Sequence, residues 1–383
     1  MTDFSMLRIL LVDNLMIRRY GNLRMGPGRK LMCGAIRNGW RLCEFSDRDM
    51  ARLLAPMGIR SWGGAIANRK LLLTAKNFRP DVILLGHCDY ISNKTLFAIK
   101  SALPAVKIAH FNVDPIWQET TWRQIEDRKE SCDGLFITTA GEGLKNWCNS
   151  RNVVAYMPNP SDPSMEHGDN SARTDFARDL FYAANPRKGD PRLDLLKELR
   201  PRLEGRLKAE FFGIDTPSVW GARYEEILAT SKMSLNLNRR EGDKWYSSDR
   251  IAHLMGYGIL TFQSARNQMQ RFFTDDETVY FEARAILPRR FSGSTPTTRS
   301  ARARPAPAES SITRSSTAHV FSSSWWRRST ARHTASRMNG ARRCTDDGEE
   351  SPVLGEVRPR LLQKPCKRGA LPRARLGSGL FRR

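Results

Sequence analysis

The chain has 383 residues and a mass of 43.6 kDa, enough for two domains. Its 63 Lys and Arg stand against 40 Asp and Glu, a formal charge of +23, with mean hydropathy at −0.51. No apolar stretch approaches the roughly 20 residues that cross a bilayer, which excludes a multi-span membrane protein, and the first residues lack the pattern of a secretory leader.

The first 284 residues alternate strand and helix patterns. Leu7–Asp13 is a short apolar run ending in an acid, as in a buried parallel strand. A glycine-containing loop with Tyr20-Gly21 and Gly26-Pro27-Gly28-Arg29-Lys30 follows, then a helix over Leu31–Asn38 closed by Gly39. Strands are expected at Leu42–Phe45, Asp81–His87, Lys107–Pro115, Gly134–Ala140 and Val153–Met157, with helices after Ser46, over Ser92–Ala102 and before Gly134. Residues 1–158 thus read as one Rossmann-like domain. The breakers Pro158, Pro160 and Pro163 open a linker over 159–174.

A second Rossmann-like unit spans 175–284. Strands are expected at Leu180–Ala183, Lys208–Phe212, Met233–Asn238, Gly258–Phe262 and Val279–Phe281. Helices are expected at Pro191–Leu203, Tyr224–Ser231, Ser247–Met255 and Asn267–Phe273. The fold class is α/β, two Rossmann-like domains in tandem with the second incomplete, and ligands of such sheets bind beyond the strand C-termini.

Residues 285–383 differ in kind. They carry 21 Lys and Arg against 6 acids, are dense in Ser, Thr, Ala and Pro, and show no helix or strand period; they read as disordered. Three readings compete: a basic arm for nucleic acid or anionic lipid, a solvated linker, and an out-of-frame translation of a GC-rich gene. The third is favoured by Ser315–Trp326, whose permissible codons, shifted by two bases, spell a globular-looking string.

The segment Tyr246-Ser247-Ser248-Asp249-Arg250-Ile251 is the most informative. Ser or Asp caps a helix whose free amides suit an anion. Arg250, in the first turn, opposes the helix dipole, so an anionic ligand or a surface salt bridge must account for it. His87 and His110 end parallel strands facing the cleft, with Asp89 and Asp114 placed similarly and Asp13 a weaker candidate. Each is a candidate general base, Asp114 preferred because Pro115 stiffens its loop; a plain strand-end hydrogen bond is the alternative for any one of them. Trp117, Trp122 and Trp147 read as packing rather than as sugar platforms. Seven cysteines with no CxxC pair fit a reducing cytoplasm, and no spacing suits a metal site or a hydrolase nucleophile.

The order of Ser234–Arg239, then Ser248-Asp249-Arg250-Ile251, then Gly258-Ile259-Leu260-Thr261 resembles the donor side of group-1 glycosyltransferases, most closely the family related to spore-maturation (spore-coat) glycosyltransferases. Tyr20-Gly21, Gly28-Arg29-Lys30, Phe45–Asp49, Pro80–His87, Asn112–Pro115 and Met157–Pro160 agree, so the resemblance covers about residues 7–284. It implies a GT-B fold that transfers a sugar from a nucleotide-diphosphate donor to a hydroxyl on a glycan, lipid-linked or protein acceptor in polysaccharide biosynthesis. It implies no metal and no cofactor beyond the nucleotide sugar. The setting implied is cytoplasmic, with peripheral contact at the inner face of a membrane, and nucleic acid is not expected as a partner. Arg239, Arg240, Tyr246, Ser247, Ser248, Asp249, Arg250, His253 and Gly258 would bind the donor; Gly26, Gly28 and Lys30 would form the glycine-rich loop near its phosphates. Two departures stand out: His253 occupies the place of a ribose-binding Glu, and the family's closing helices are replaced by the Arg-rich tail. The rival reading is a non-enzymatic protein that binds nucleic acid or anionic membranes through that tail.

Overall fold

All eleven expected strands are present in the computed structural model, which describes residues 6–282 apart from 16, 18–20, 23, 187 and 188. Tyr20 and the 285–383 tail, with its three readings, lie outside the described residues. β1 (Arg8–Asp13), β2 (Arg41–Ser46), β3 (Val82–Leu85), β4 (Lys107–Asn112), β5 (Gly134–Ile137) and β6 (Val153–Tyr156) form a parallel sheet in the order β2-β1-β3-β4-β5-β6. β7 (Arg178–Ala183), β8 (Ala209–Phe212), β9 (Ser231–Asn236), β10 (Leu260–Ser264) and β11 (Val279–Phe281) form a second parallel sheet, β11-β10-β9-β7-β8.

Side-chain alternation gives each sheet two cores. Along β1, Leu10 and Val12 pack with Ile83, Leu85 and Leu71 on one face, while Ile9 and Leu11 pack with Leu31, Leu84 and Phe136 on the other. In the second sheet Leu180 and Tyr182 face Leu196 and Leu199, and Phe181 faces Ile227 and Leu254. Burial on both faces is why these strands read as continuous apolar runs.

The helices are α1 (Pro27–Arg37), α2 (Asp47–Leu54), α3 (Arg60–Phe78), α4 (Asn93–Ala102), α5 (Glu119–Arg128), α6 (Pro191–Leu203), α7 (Ala222–Ala229) and α8 (Asp249–Gly256). Two differ from expectation. The nineteen-residue α3 goes unread in the sequence, because its Gly63-Gly64 pair is a poor helix signal and apolar residues occupy both of its faces. The helix expected over Asn267–Phe273 is instead two 3-10 turns, Ala265–Asn267 and Met269–Arg271, separated by Gln268 in a left-handed conformation at φ 55°.

The stretch between β6 and β7 is a buried connector with its own polar contacts. Asn159, Ser161, Asp162, Glu166 and Asn170 are all buried. Asn170 Nδ2 donates to the carbonyls of Leu228 and Ser231, both at 2.7 Å, and the Asp162 N–H donates to Glu166 Oε2 at 2.6 Å. Prolines with polar side chains thus build a seam along which the two domains meet.

Candidate functional site: an arginine-lined cleft at two switch points

In each sheet the chain reverses its direction of strand addition once, between β1 and β3 and between β7 and β9. Crevices open beyond the strand ends at such points. Beyond β7 and β9 lies a cleft of about 210 Å³ lined by Arg192, Arg239, Arg240, Arg250, Tyr246 and Ser248 from the second domain. Asp114, Trp117 and Gln118 of the first domain close its other side. Beyond β1 and β3 lies a polar cavity of about 430 Å³ lined by Asn14, Arg48, His87, Asp89, Thr120, Thr121 and Gln124. Asp114 lines both.

The arginines are held by their neighbours. Arg250 Nη1 donates to the Leu237 carbonyl at 2.8 Å, and its guanidinium stacks 5.1 Å from the Tyr182 ring. Arg192 pairs through two nitrogens with Asp190, at 2.8 and 2.5 Å, and Arg239 Nε lies 3.7 Å from the same carboxylate. The Arg192 hydrogen bond holds the Asp190 carboxyl below its ordinary range. Arg192 and Arg250 are each the second residue of a helix, α6 and α8, so two helix N-termini reach the cleft with an arginine apiece. Helix amides and guanidinium groups together suit a multiply charged anion.

Asp114, Arg239, Arg240, Tyr246, Ser248 and Arg250 are therefore brought together as the sequence suggests. Arg192 was missed, although the signal that singled out Arg250, a cation in a helix's first turn, is present there too. His87 lines the second cavity, its Nε2 3.6 Å from Asp114 Oδ2, beside Asp89, which pairs with Arg48 and accepts from Gln124 at 3.3 Å. Of the tryptophans, Trp117 reaches the cleft, whereas Trp122 and Trp147 pack ring to ring at 4.5 Å.

The other candidates lie elsewhere. Lys30, Asp249 and His253 form the centre of the domain seam with Glu166. Lys30 Nζ lies 2.8 Å from Glu166 and 3.0 Å from Asp249; His253 Nδ1 lies 2.6 Å from Glu166, and its Nε2 3.1 Å from Asp249. Burial alone would push Lys30 and His253 down, but Asp249 and Glu166 hold both above their ordinary values. Against its own burial, Asp249 is held low by His253 and Lys30. Lys30 and His253 thus share the two carboxylates of Glu166 and Asp249, and Lys30, spent in the seam, is not a loop charge for phosphates.

Ser247 is buried in the same seam. Its N–H donates to the Thr138 carbonyl at 2.9 Å, and its hydroxyl and carbonyl oxygens accept from Asn159 at 3.0 and 2.7 Å. Gly258, at φ 69°, follows the end of α8, where a left-handed residue stops the helix. Gly28 serves packing: a Cβ there would lie 1.8 Å from Asp13 Oδ2, whereas one at Gly26 would meet nothing within 4 Å. Asp13 is buried and accepts from the Asn14 and His87 N–H groups at 2.8 and 2.7 Å. His110 faces away from solvent within β4, bonded at Nδ1 to the Leu85 carbonyl, with Nε2 unpartnered among the described residues. Burial, then Arg128, lowers its pKa to about 3, so it stays neutral and is no cleft base.

The comparisons with known proteins fall on the same region. The family described as glycosyl transferase-like matches residues 192–334, starting at Arg192 and running past the boundary expected at Arg284. The matched part takes in nearly all of α6, all of α8 and the arginines between them. No curated protein matches the chain. Among solved structures, a glycosyltransferase involved in avilamycin A biosynthesis is 13% identical, over 70% of this chain and 81% of that one, with a TM-score of 0.39. A lipopolysaccharide outer core galactosyltransferase is 10% identical over 73% and 87%, with a TM-score of 0.42. The N-terminal domain of a Candida albicans trehalose-6-phosphate phosphatase is 10% identical over 85% and 96%, with a TM-score of 0.45. The two parallel, Rossmann-like sheets in tandem match the α/β class expected from the sequence. No helix among the described residues is long and apolar enough to cross a membrane.

Proposed function

We propose that this chain transfers a glycosyl group from a nucleotide-diphosphate sugar to a hydroxyl acceptor. The observation that carries this reading is Asp114, one carboxylate lining both an arginine-rich cleft and a polar cavity. In this reading Arg250, Arg192, Arg239 and Arg240 hold the donor diphosphate, and the charge that grows on it as the glycosidic bond breaks is met by guanidinium groups and by the N-termini of α6 and α8. The acceptor, a glycan or a hydroxyl carried on lipid or protein, sits in the second cavity. There Asp114, with His87 beside it, takes the hydroxyl proton. Trp117 and Tyr246 give the donor apolar surfaces, and no metal or further cofactor is part of the proposal.

Two finer points rest on sequence. The spacing of Ser234–Arg239, Ser248–Ile251 and Gly258–Thr261 supports a place near the spore-maturation glycosyltransferases, working at the cytoplasmic side. The Arg-rich composition after Arg284 supports an out-of-frame product, which the coding DNA read in all frames would decide.

Calorimetry against a panel of nucleoside diphosphates tests the donor site: at least one member binds, and Arg250→Ala weakens it. Silence across the panel overturns the reading. Asp114→Asn is expected to keep diphosphate binding and lose sugar transfer.

A further inference from the structure

Helix α3 carries large apolar side chains on both its buried and its exposed side, and the fold covers only one. Gly63, Ala67, Leu71 and Ala75 are buried, Gly63 so tightly that a Cβ would lie 1.8 Å from the Ala51 carbonyl oxygen on α2. The opposite face carries Trp62, Ile66 and Leu73 in the open, Trp62 at 57% exposure. Leu53 at the end of α2 and Met57 and Ile59 in the connecting turn extend it, with Met57 at 82% exposure and in a left-handed conformation at φ 54°. Half of the large exposed hydrophobic side chains among the described residues fall in this one short segment. Single exposed apolar residues need no account, but such a cluster does.

Charge identifies what covers it. No acidic residue occurs between Asp49 and Asp81, while Arg52, Arg60, Arg69, Lys70, Lys76 and Arg79 do. Arg69, Lys70 and Lys76 lie on the exposed side of α3, interleaved with Ile66 and Leu73, and none of the three pairs with an acid among the described residues. A second copy meeting this face would set cation against cation. Exposed Trp and Leu among unpaired Lys and Arg on a surface helix suit the boundary between anionic headgroups and acyl chains.

We propose that the α2–α3 face docks on an anionic lipid bilayer, with Leu53, Met57 and Trp62 entering the headgroup boundary and Arg69, Lys70 and Lys76 meeting headgroup phosphates. The inner side of α3 holds the loop behind it: Asn68 donates to the Tyr90 carbonyl at 2.5 Å and accepts from the Ser92 N–H at 2.9 Å, next to the residues His87 and Asp89 of the second cavity. A docked molecule therefore carries this cavity one helix away from the headgroups; that a lipid-borne hydroxyl reaches it rests on the transfer reading.

The test is co-sedimentation of the full chain with vesicles of phosphatidylcholine containing about 30% phosphatidylglycerol. The variants leave the tail unchanged, and the vesicles are compared at rising salt, so that a loss of partitioning between the proteins reports on the face alone. Met57→Ser combined with Trp62→Ser is expected to lower partitioning about tenfold or more, as is Arg69→Gln with Lys70→Gln and Lys76→Gln. Both sets alter exposed side chains, so the thermal midpoint and nucleoside diphosphate binding stay at parental values, which separates this result from any failure of the donor site. Unchanged partitioning in the Met57/Trp62 variant overturns the proposal. So does a concentration-dependent dimer in the parent that this variant abolishes, since the face would then be an interface between copies.

Discussion

At the N-terminus of α8 two neighbouring charges part company. Asp249 joins Lys30, Glu166 and His253 in a seam where every charge has a partner, while Arg250 faces the cleft with Arg192, Arg239 and Arg240 in excess over nearby carboxylates. Successive residues of a helix point about 100° apart, so one turn serves both places. The balanced group holds two domains together; the unbalanced one has the charge to receive an anion.

Breaking the seam has the largest expected effect. Lys30→Met leaves Glu166 and Asp249 short of a cation, and loss of one member of a buried ionic group costs about 3–5 kcal/mol. Urea unfolding measures it, and a loss below about 1 kcal/mol would dissolve the distinction between seam and cleft. Arg250→Ala shows the converse: diphosphate binding falls by about 1.5–3 kcal/mol, the range for a charge-assisted hydrogen bond, with a smaller change in the unfolding midpoint than Lys30→Met. An Arg250→Ala chain that binds as before but unfolds early would move Arg250 into the seam.

Acidity sharpens the contrast, because His253 and His110 are shifted in opposite directions. His253 is raised above 6.5, so its contribution is complete below that pH and is lost as pH rises through the raised value. His110 is lowered from 6.5 to about 3 by burial, so stability is lost as pH falls across that interval. His253→Gln should flatten the alkaline side of a stability–pH curve, and His110→Phe the acid side. The smallest effects come from the glycine loop. Gly28→Ala forces the Asp13 carboxylate aside and costs about 1–3 kcal/mol, whereas Gly26→Ala, at φ 175° with open space around it, stays within about 0.5 kcal/mol. Equal costs would mean that the loop, not Asp13, sets the requirement.

Much of the architecture is legible in the chain. Runs such as Val82–Leu85 and Lys107–Asn112 are buried on both faces and so announce themselves as strands. Helix α3 does not, because Trp62, Ile66 and Leu73 stand among the cations of its outward face while small Gly63, Ala67 and Ala75 line much of its inward one, and the contrast that marks an amphipathic helix is blurred. At the site, residue type is legible and direction is not. Ser247 and Ser248 are adjacent and alike, yet one is buried against Asn159 and the other lines the cleft. Lys30 and Asp249 stand 219 positions apart, and nothing local in either segment announces that they meet.

The seam also fixes how this molecule comes apart. Lys244 and Ser247 of the second domain are bonded through backbone groups to Ala140 and Thr138 of the first, and Tyr156 donates to the Trp245 carbonyl at 2.9 Å beneath a packed trio of rings with Phe272. Neither sheet can unravel without stranding these partners and the four charges around Lys30, so the energetic fate of each domain is coupled to the other. Heating should therefore produce one calorimetric peak with equal calorimetric and van't Hoff enthalpies, as for a single folding unit, although the chain holds two separate sheets.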